Sequence, residues 1–364
     1  MKIAILGTRG IPNYHGGFEQ FAEYFAKFLV DKGHEVCVYS SSLHPYKKDM
    51  WNGVEIIHKY DPENKIGSSG QFIYDLNCIW DSRSRRFDVV LQLGYTSSSI
   101  WNWLFPKATK IVTNMDGLEW KRSKYSSNVQ KFLKYAEKLA INHSHVLIAD
   151  SIGIQAYLQK EYEVSSTYIA YGVLTDNAYN KSILNELKLV SNDYNMLIAR
   201  MEPENNIEVI LDGVVESKRN RKFIVIGKTD NTFGSYLVDK YKNDNRIEFL
   251  GAIYDLPKLN SLRSHSNMYF HGHSVGGTNP SLLEAMASHA FICAHNNVFN
   301  KSILEDRALY FDDASDVAKV LDEDLRKQNA RHVEKNYQNV TSQFNWTRIN
   351  EQYLHVLNEV IKSL

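Results

Sequence analysis

Short apolar runs rich in Val and Ile alternate along the chain with longer segments of helical period, the pattern of a parallel sheet covered by helices on both faces. In the first half these runs predict strands at Lys2 to Leu6, Glu35 to Tyr39, Asp88 to Leu93, Lys110 to Asn114, Val146 to Ala149 and Thr167 to Ala170. The series restarts after Tyr171-Gly172, with strands expected at Asn195 to Ala199, Phe223 to Ile226, Arg246 to Leu250, Asn267 to Phe270, Phe291 to Ala294 and Leu309 to Phe311. Phe18, Phe21, Ala22, Phe25, Phe28 and Leu29 share one helical face that Gly33 ends, so the first helix packs on the sheet. Leu174 to Ser191 is polar and Asn-rich with little periodicity and reads as a linker that permits hinge motion. Trp346 to Leu364 reads as an amphipathic helix with Ile349, Tyr353, Val356, Leu357 and Val360 on its apolar side. The expected organisation is two doubly wound α/β domains, residues 1–172 with the helix 346–364 packing back on them, and residues 173–345.

A length of 364 residues suits two cores of ordinary size, and 43% hydrophobic with 23% charged residues excludes long disorder. Lys and Arg number 42, as do Asp and Glu, so no global field points to nucleic acid and any anion site must be local. Cys37, Cys78 and Cys293 are odd in number and far apart, which suits reduced structural thiols and gives no metal spacing. The apolar run after Met1 is too short for a secretory core, and no window approaches the ~18 apolar residues of a spanning helix. A cytoplasmic protein is expected, meeting a membrane only from its surface.

Two doubly wound domains bind ligands at the carboxyl ends of their strands, so the loops after those strands carry the candidate chemistry. The first runs Gly7-Thr8-Arg9-Gly10-Ile11-Pro12-Asn13-Tyr14-His15-Gly16-Gly17-Phe18-Glu19 between a strand and a helix. Its glycines allow close backbone approach, and the helix start favours an anion; a tight turn needing positive φ is the competing reading. A nicotinamide fingerprint would need Gly-x-Gly-x-x-Gly here and an acid after the second strand, where Tyr39-Ser40-Ser41-Ser42 stands instead. No Gly-Lys-Ser/Thr of a P-loop follows either.

In the second half the richest stretch is His271 to Ala287. Asn279 suits an N-cap and Pro280 a first helical residue, so Gly276, Gly277 and Thr278 approach a helix start whose free N–H groups suit a diphosphate. Glu284, one turn in, suits the vicinal hydroxyls of a ribose as a bidentate acceptor. His273 is read as a polar contact to sugar, since no third ligand joins His271 and His273 and no metal is expected. Arg200 and Lys228 each follow a strand, where a cation neutralises charge on a departing diphosphate.

Together these residues resemble the retaining glycosyltransferases of family four, which have the GT-B fold of two Rossmann-like domains facing each other across a cleft. The resemblance spans essentially the whole chain. It rests on Gly16-Gly17 after the first strand, on Arg200 with Glu204 after the first strand of the second domain, and on the Leu-Glu-Ala-Met-Ala helix with Glu284. More closely, Gly16-Gly17-Phe18-Glu19, Asp116-Gly117-Leu118-Glu119-Trp120, Ala199 to Asn206 and His271 to Ala287 resemble bacterial β1-4 rhamnosyltransferases of capsule and exopolysaccharide assembly. Those transfer L-rhamnose from dTDP-β-L-rhamnose to glucose linked through diphosphate to undecaprenol. The resemblance implies such a nucleotide-sugar donor, a lipid-linked acceptor, no metal and no other cofactor. Two departures stand out: the first of the usual pair of glutamates is Gly276, and the usual Lys after Pro-Glu is Asn205. Diphosphate and sugar contacts are therefore expected to shift to Lys228, His273, Thr278 and Asn279.

On the acceptor side, Asp116, Glu119, Trp120, Lys121, Arg122 and Lys124 follow the strand Lys110 to Asn114. Carboxylates bind sugar hydroxyls, Trp stacks on sugar rings and the basic cluster suits a lipid diphosphate, with a solvated charged loop as the competing reading. The expected chemistry is front-face transfer with retention, the leaving phosphate taking the acceptor proton while Arg200 and Lys228 stabilise it. Inversion would instead need a general base, for which Asp116 is nominated. A UDP- or GDP-sugar transferase of the same fold, a GT-B epimerase or phosphorylase, and a non-catalytic nucleotide-sugar binder are the alternatives.

Overall fold

The computed structural model describes residues 1–14, 16–121, 125–275, 277–323 and 325–362. The chain divides into two compact units, Met1–Tyr171 with Trp346–Leu364, and Gly172–Asn345. The N-terminal unit holds an eight-stranded sheet of β1 Lys2–Leu6, β2 Glu35–Ser41, β3 Met50–Trp51, β4 Val54–Lys59, β5 Val89–Leu93, β6 Lys110–Asn114, β7 Val146–Ala149 and β8 Thr167–Tyr168. Its order is β3-β4-β2-β1-β5-β6-β7-β8, parallel except where β3 pairs with β4. In register, Ile3 of β1 lies opposite Val36 on one side and Val89 on the other, and all three are buried.

The hairpin of β3 and β4 is absent from the sequence expectation. Its turn is Asn52-Gly53, both at positive φ (46° and 83°), as a two-residue hairpin turn requires. The pattern hides it because β3 has two residues and β4 mixes Glu55, His58 and Lys59 among its apolar positions. The helix Gly17–Asp31 buries Phe21, Ala22, Phe25, Ala26 and Leu29, and Gly33 ends it at φ 84°. Helix Trp346–Lys362 lies on it within the same unit, with the Tyr353 ring 4.5 Å from that of Phe21 and 5.4 Å from that of Phe25.

The C-terminal unit has six strands, β9 Tyr194–Ile198, β10 Lys222–Ile226, β11 Ile247–Gly251, β12 Met268–His271, β13 Ile292–His295 and β14 Leu309–Phe311. They are ordered β11-β10-β9-β12-β13-β14 and every pairing is parallel. Leu197, Phe223, Val225, Met268, Phe270 and Phe311 fill its core. Helix Ile207–Glu216 approaches helix Ala314–Asp322 so closely that a Cβ at Gly213 would lie 2.5 Å from the Val317 Cβ.

Leu174 to Ser191 is not the loose linker its composition predicts. It forms the short helix Ser182–Glu186, buries Ile183, Leu184 and Leu189, and is tied to the unit by Glu186–Lys258 at 2.8 Å. The three apolar residues outweigh the surrounding Asn, Lys and Glu because they find a helix, Leu256–His265, to pack near. All three cysteines are free and buried. Among the described residues no helix is long and apolar enough to cross a membrane.

Candidate active site

In each unit the chain winds outward from a central strand, returns, and winds the other way. The reversal falls between β1 and β5 in the N-terminal unit and between β9 and β12 in the C-terminal one. Adjacent connections leave toward opposite faces at such a point and open a crevice at the strands' carboxyl ends.

At the C-terminal unit's reversal, Arg200 follows β9 and Lys228 follows the neighbouring β10. Both side chains are exposed and form no ion pair among the described residues. Their loops are nonetheless fixed. A Cβ at Gly227, φ 156°, would meet the Ala199 carbonyl oxygen at 2.0 Å, and the Asn231 amide donates to the Met201 carbonyl at 2.8 Å. Asn205 is buried and its amide donates to the Arg200 carbonyl at 2.8 Å. Asn205 thus closes the Arg200 loop and brings no cation.

The loops after β9 and β12 lock together. Asn206, in the left-handed region at φ 49°, donates its amide to the Gly272 carbonyl at 2.7 Å. The Ser274 N–H and hydroxyl both donate to the Glu204 carbonyl, at 3.1 and 2.8 Å. A Cβ at Gly272 would lie 2.1 Å from the Asn205 carbonyl oxygen, so the close approach requires glycine. The His273 carbonyl accepts from Asn297 at 3.0 Å and from Asn300 at 3.1 Å, and its ring stacks on His271 at 4.5 Å. His271 is buried with neither ring nitrogen bonded among the described residues, and burial with His273 and Arg263 nearby holds its pKa well below the usual histidine value. Among the described residues no group of three or more His, Cys, Asp or Glu is arranged to hold a metal ion.

Thr278 is buried, Gly277 is half-buried, and Asn279 caps helix Pro280–Ala287, accepting from the Ser281 N–H at 2.9 Å. Gly276 lies outside the described residues. Glu284 is half-buried, and its Oε2 accepts from the Arg263 guanidinium at 2.5 Å. One of the two oxygens expected to face vicinal hydroxyls is therefore committed within the protein. Arg263, 1% exposed, was invisible as a site residue in the sequence; the available signal was a charged residue on the apolar stripe of Leu259 and Leu262.

In the N-terminal unit the loop after β1 is folded by its own charges. The Arg9 guanidinium is held by both oxygens of Glu63, at 2.5 and 3.0 Å, and the buried Glu19 accepts from the Arg9 N–H at 2.9 Å. Gly16, extended at φ −171°, precedes the helix Gly17–Asp31 with no side-chain cap hydrogen bond among the described residues. The Tyr171 hydroxyl donates to the Gly17 carbonyl at 3.1 Å.

Asp116 sits at φ 53°, and its N–H donates to Asn114, whose amide donates to the Tyr353 hydroxyl at 2.7 Å. The C-terminal helix thereby braces the turn. Glu119 and Trp120 begin a short 3₁₀ turn and are half-buried. The Trp120 ring is engaged by the Lys134 ammonium at 4.3 Å and by Lys121 at 5.3 Å, so it is far from a bare stacking platform. Arg122 and Lys124 lie outside the described residues.

Comparison with known proteins gives these loops a context. Residues 1–174 match the family described as domain of unknown function DUF1972, and residues 186–339 match glycosyl transferases group 1. No protein with a curated description matches the sequence. Among solved structures, the chain is similar to sucrose-phosphate synthase from Thermosynechococcus elongatus, with TM-score 0.80 at 17% identity over 100% of both chains. It is also similar to Anabaena HepE in complex with UDP and glucose, with TM-score 0.76 at 16% identity over 99% of this chain and 100% of that one. A trehalose 6-phosphate synthase from Burkholderia multivorans gives TM-score 0.73 at 11% identity over 100% and 99%. The chain thus has the two-domain GT-B fold, and residues 186–339 of its C-terminal unit match the glycosyl transferases group 1 model.

Proposed function

We propose that the protein is a rhamnosyltransferase that moves L-rhamnose from dTDP-β-L-rhamnose to a glucose of a lipid-diphosphate-linked acceptor, with retention, in bacterial surface polysaccharide assembly. The observation that carries the nucleotide-sugar part is the pair of exposed cations with no ion-pair partner among the described residues, Arg200 and Lys228, on rigid loops after adjacent strands. Cations left unpaired on fixed backbone are organised for a ligand's charge, and a diphosphate leaving group supplies it. The N–H groups behind Asn279 add a partial positive charge at the same end of the sheet. In the proposed reaction the sugar–phosphate bond breaks, the acceptor hydroxyl bonds to the anomeric carbon on the same face, and its proton passes to the departing phosphate. The rhamnose and acceptor assignments are supported by the sequence resemblance. Work at the inner membrane face follows from a lipid-linked acceptor.

A UDP-sugar is the second reading, favoured by the UDP and glucose bound to the similar Anabaena protein. Turnover tests both. The purified protein is supplied with a diphosphate-linked glucosyl lipid and, in turn, dTDP-rhamnose, UDP-glucose and GDP-mannose. Rhamnose transfer from the dTDP donor is expected, and proton NMR of the product is expected to show the β-L linkage. Transfer only from a UDP or GDP donor would discard rhamnose, and an α-L product would discard retention.

A further inference from the structure

The Arg263–Glu284 pair carries a selectivity that the sequence motif does not contain. Glu284 has two carboxylate oxygens, the number needed to accept from both hydroxyls of a ribose. Oε2 is bonded at 2.5 Å to the Nη2 of an arginine that is 1% exposed, while Oε1 has no partner among the described residues. Arg263 is not held there by abundant partners. Its Nη1 lies 3.4 Å from Asn260 Oδ1, its guanidinium stands 6.0 Å from the Tyr269 ring centre, and its Nε has no hydrogen-bond partner among the described residues. An apolar side chain in this position would avoid the cost of desolvating a guanidinium, so stability alone does not account for it.

We infer that Arg263 is a specificity-determining positioning residue, which occupies one oxygen of Glu284 and leaves the other for the single 3′-hydroxyl of a 2′-deoxynucleoside diphosphate. A ribonucleotide brings a second hydroxyl to a carboxylate whose other oxygen already accepts a short charge-assisted bond from Arg263 and is a poorer, more restricted acceptor for it. That hydroxyl loses water without gaining an equivalent acceptor, which disfavours it. The inference rests on the nucleotide-sugar reading above and selects among its donors by the sugar of the nucleotide.

Calorimetric titration with dUDP and UDP tests it, since the two differ only at the 2′ position. The wild-type protein is expected to bind dUDP about three- to tenfold more tightly, the equivalent of one hydrogen bond. Arg263→Met frees both oxygens, and the preference is expected to vanish or reverse. Should that variant not fold, Glu284→Ala serves, removing the acceptor so that both nucleotides bind with equal, weaker affinity. Equal binding or a preference for UDP in the wild type would overturn the inference while leaving the glycosyltransferase reading intact. A dUDP preference retained in a folded Arg263→Met or Glu284→Ala variant would overturn it as well. Binding of neither nucleotide would overturn both.

Discussion

The loops that follow β1 and β9 occupy equivalent places in their units, yet they treat charge in opposite ways. After β1, Arg9 is spent on Glu63, Glu19 on the Arg9 N–H and Glu23 on the Asn13 N–H, so the charged groups fold the loop itself. After β9, neutral groups hold the loop, Asn205 bonding within it while Asn206 and Ser274 tie it to the loop after β12, and Arg200 stays exposed. The lesson is that a cation on a rigid loop signals a ligand only when uncharged neighbours hold the backbone. Arg9 and Arg200 look alike in sequence, and only their partners separate them.

That contrast is easiest to break at Arg200. Arg200→Ala should lower kcat/KM by about a hundredfold or more, as the loss of a charge-stabilising group does, with thermal stability within about 0.5 kcal/mol of wild type. Arg9→Ala should do the reverse, lowering stability by less than about 1 kcal/mol because the pair is partly exposed, with a smaller effect on turnover. Steady-state kinetics and thermal melts of both variants decide. Equal losses of turnover would erase the distinction.

Gly272→Ala probes the backbone lock between the β9 and β12 loops. Its Cβ meets a carbonyl oxygen at 2.1 Å, and overpacking of this kind costs about 1–3 kcal/mol, read as a lowered melting temperature. An unchanged melt would mean that the two loops separate freely. Asn279→Ala removes the cap of helix Pro280–Ala287, for a smaller loss of about 1 kcal/mol by denaturant titration and a weakened affinity for nucleotide diphosphates.

A separate, pH-dependent effect concerns Asp75 in the N-terminal unit. Burial, with Asp61 adding repulsion and the Ser97 hydroxyl opposing, pushes its carboxyl up to about 7. Above its ordinary value near ~4 the unfolded chain releases this proton while the folded one keeps it, so stability falls as pH rises from ~4 to about 7 and then levels. Asp75→Asn should lack that decline in a pH series of urea unfolding curves. Identical slopes would show the carboxyl to be ionised throughout.

Much of the fold was legible because the buried parallel strands are written in Val, Ile and Phe. Lys2–Leu6, Lys110–Asn114 and Val146–Ala149 have the expected bounds, and neighbouring strands shift by a residue or two. The β3–β4 hairpin and the helix Ser182–Glu186 were hidden because short elements carry too few apolar residues to outweigh polar neighbours. The site was legible where local chemistry sufficed, as at Asn279-Pro280. It was not where the meaning comes from a distant partner: Arg263 is 21 residues from Glu284, and Tyr353 is 239 residues from the Asn114 it braces. Such pairs exist only once the chain has folded.

Binding of a nucleotide-sugar diphosphate by the C-terminal unit through Arg200 underlies the proposed transfer. Calorimetric titration of the wild type and Arg200→Ala with dTDP, UDP, GDP and NAD, without added metal, tests it most directly. dTDP is expected to bind most tightly, and the substitution to weaken it at least about tenfold, as loss of a charge-assisted contact does. Binding of NAD alone, or dTDP binding that ignores Arg200→Ala, would contradict it.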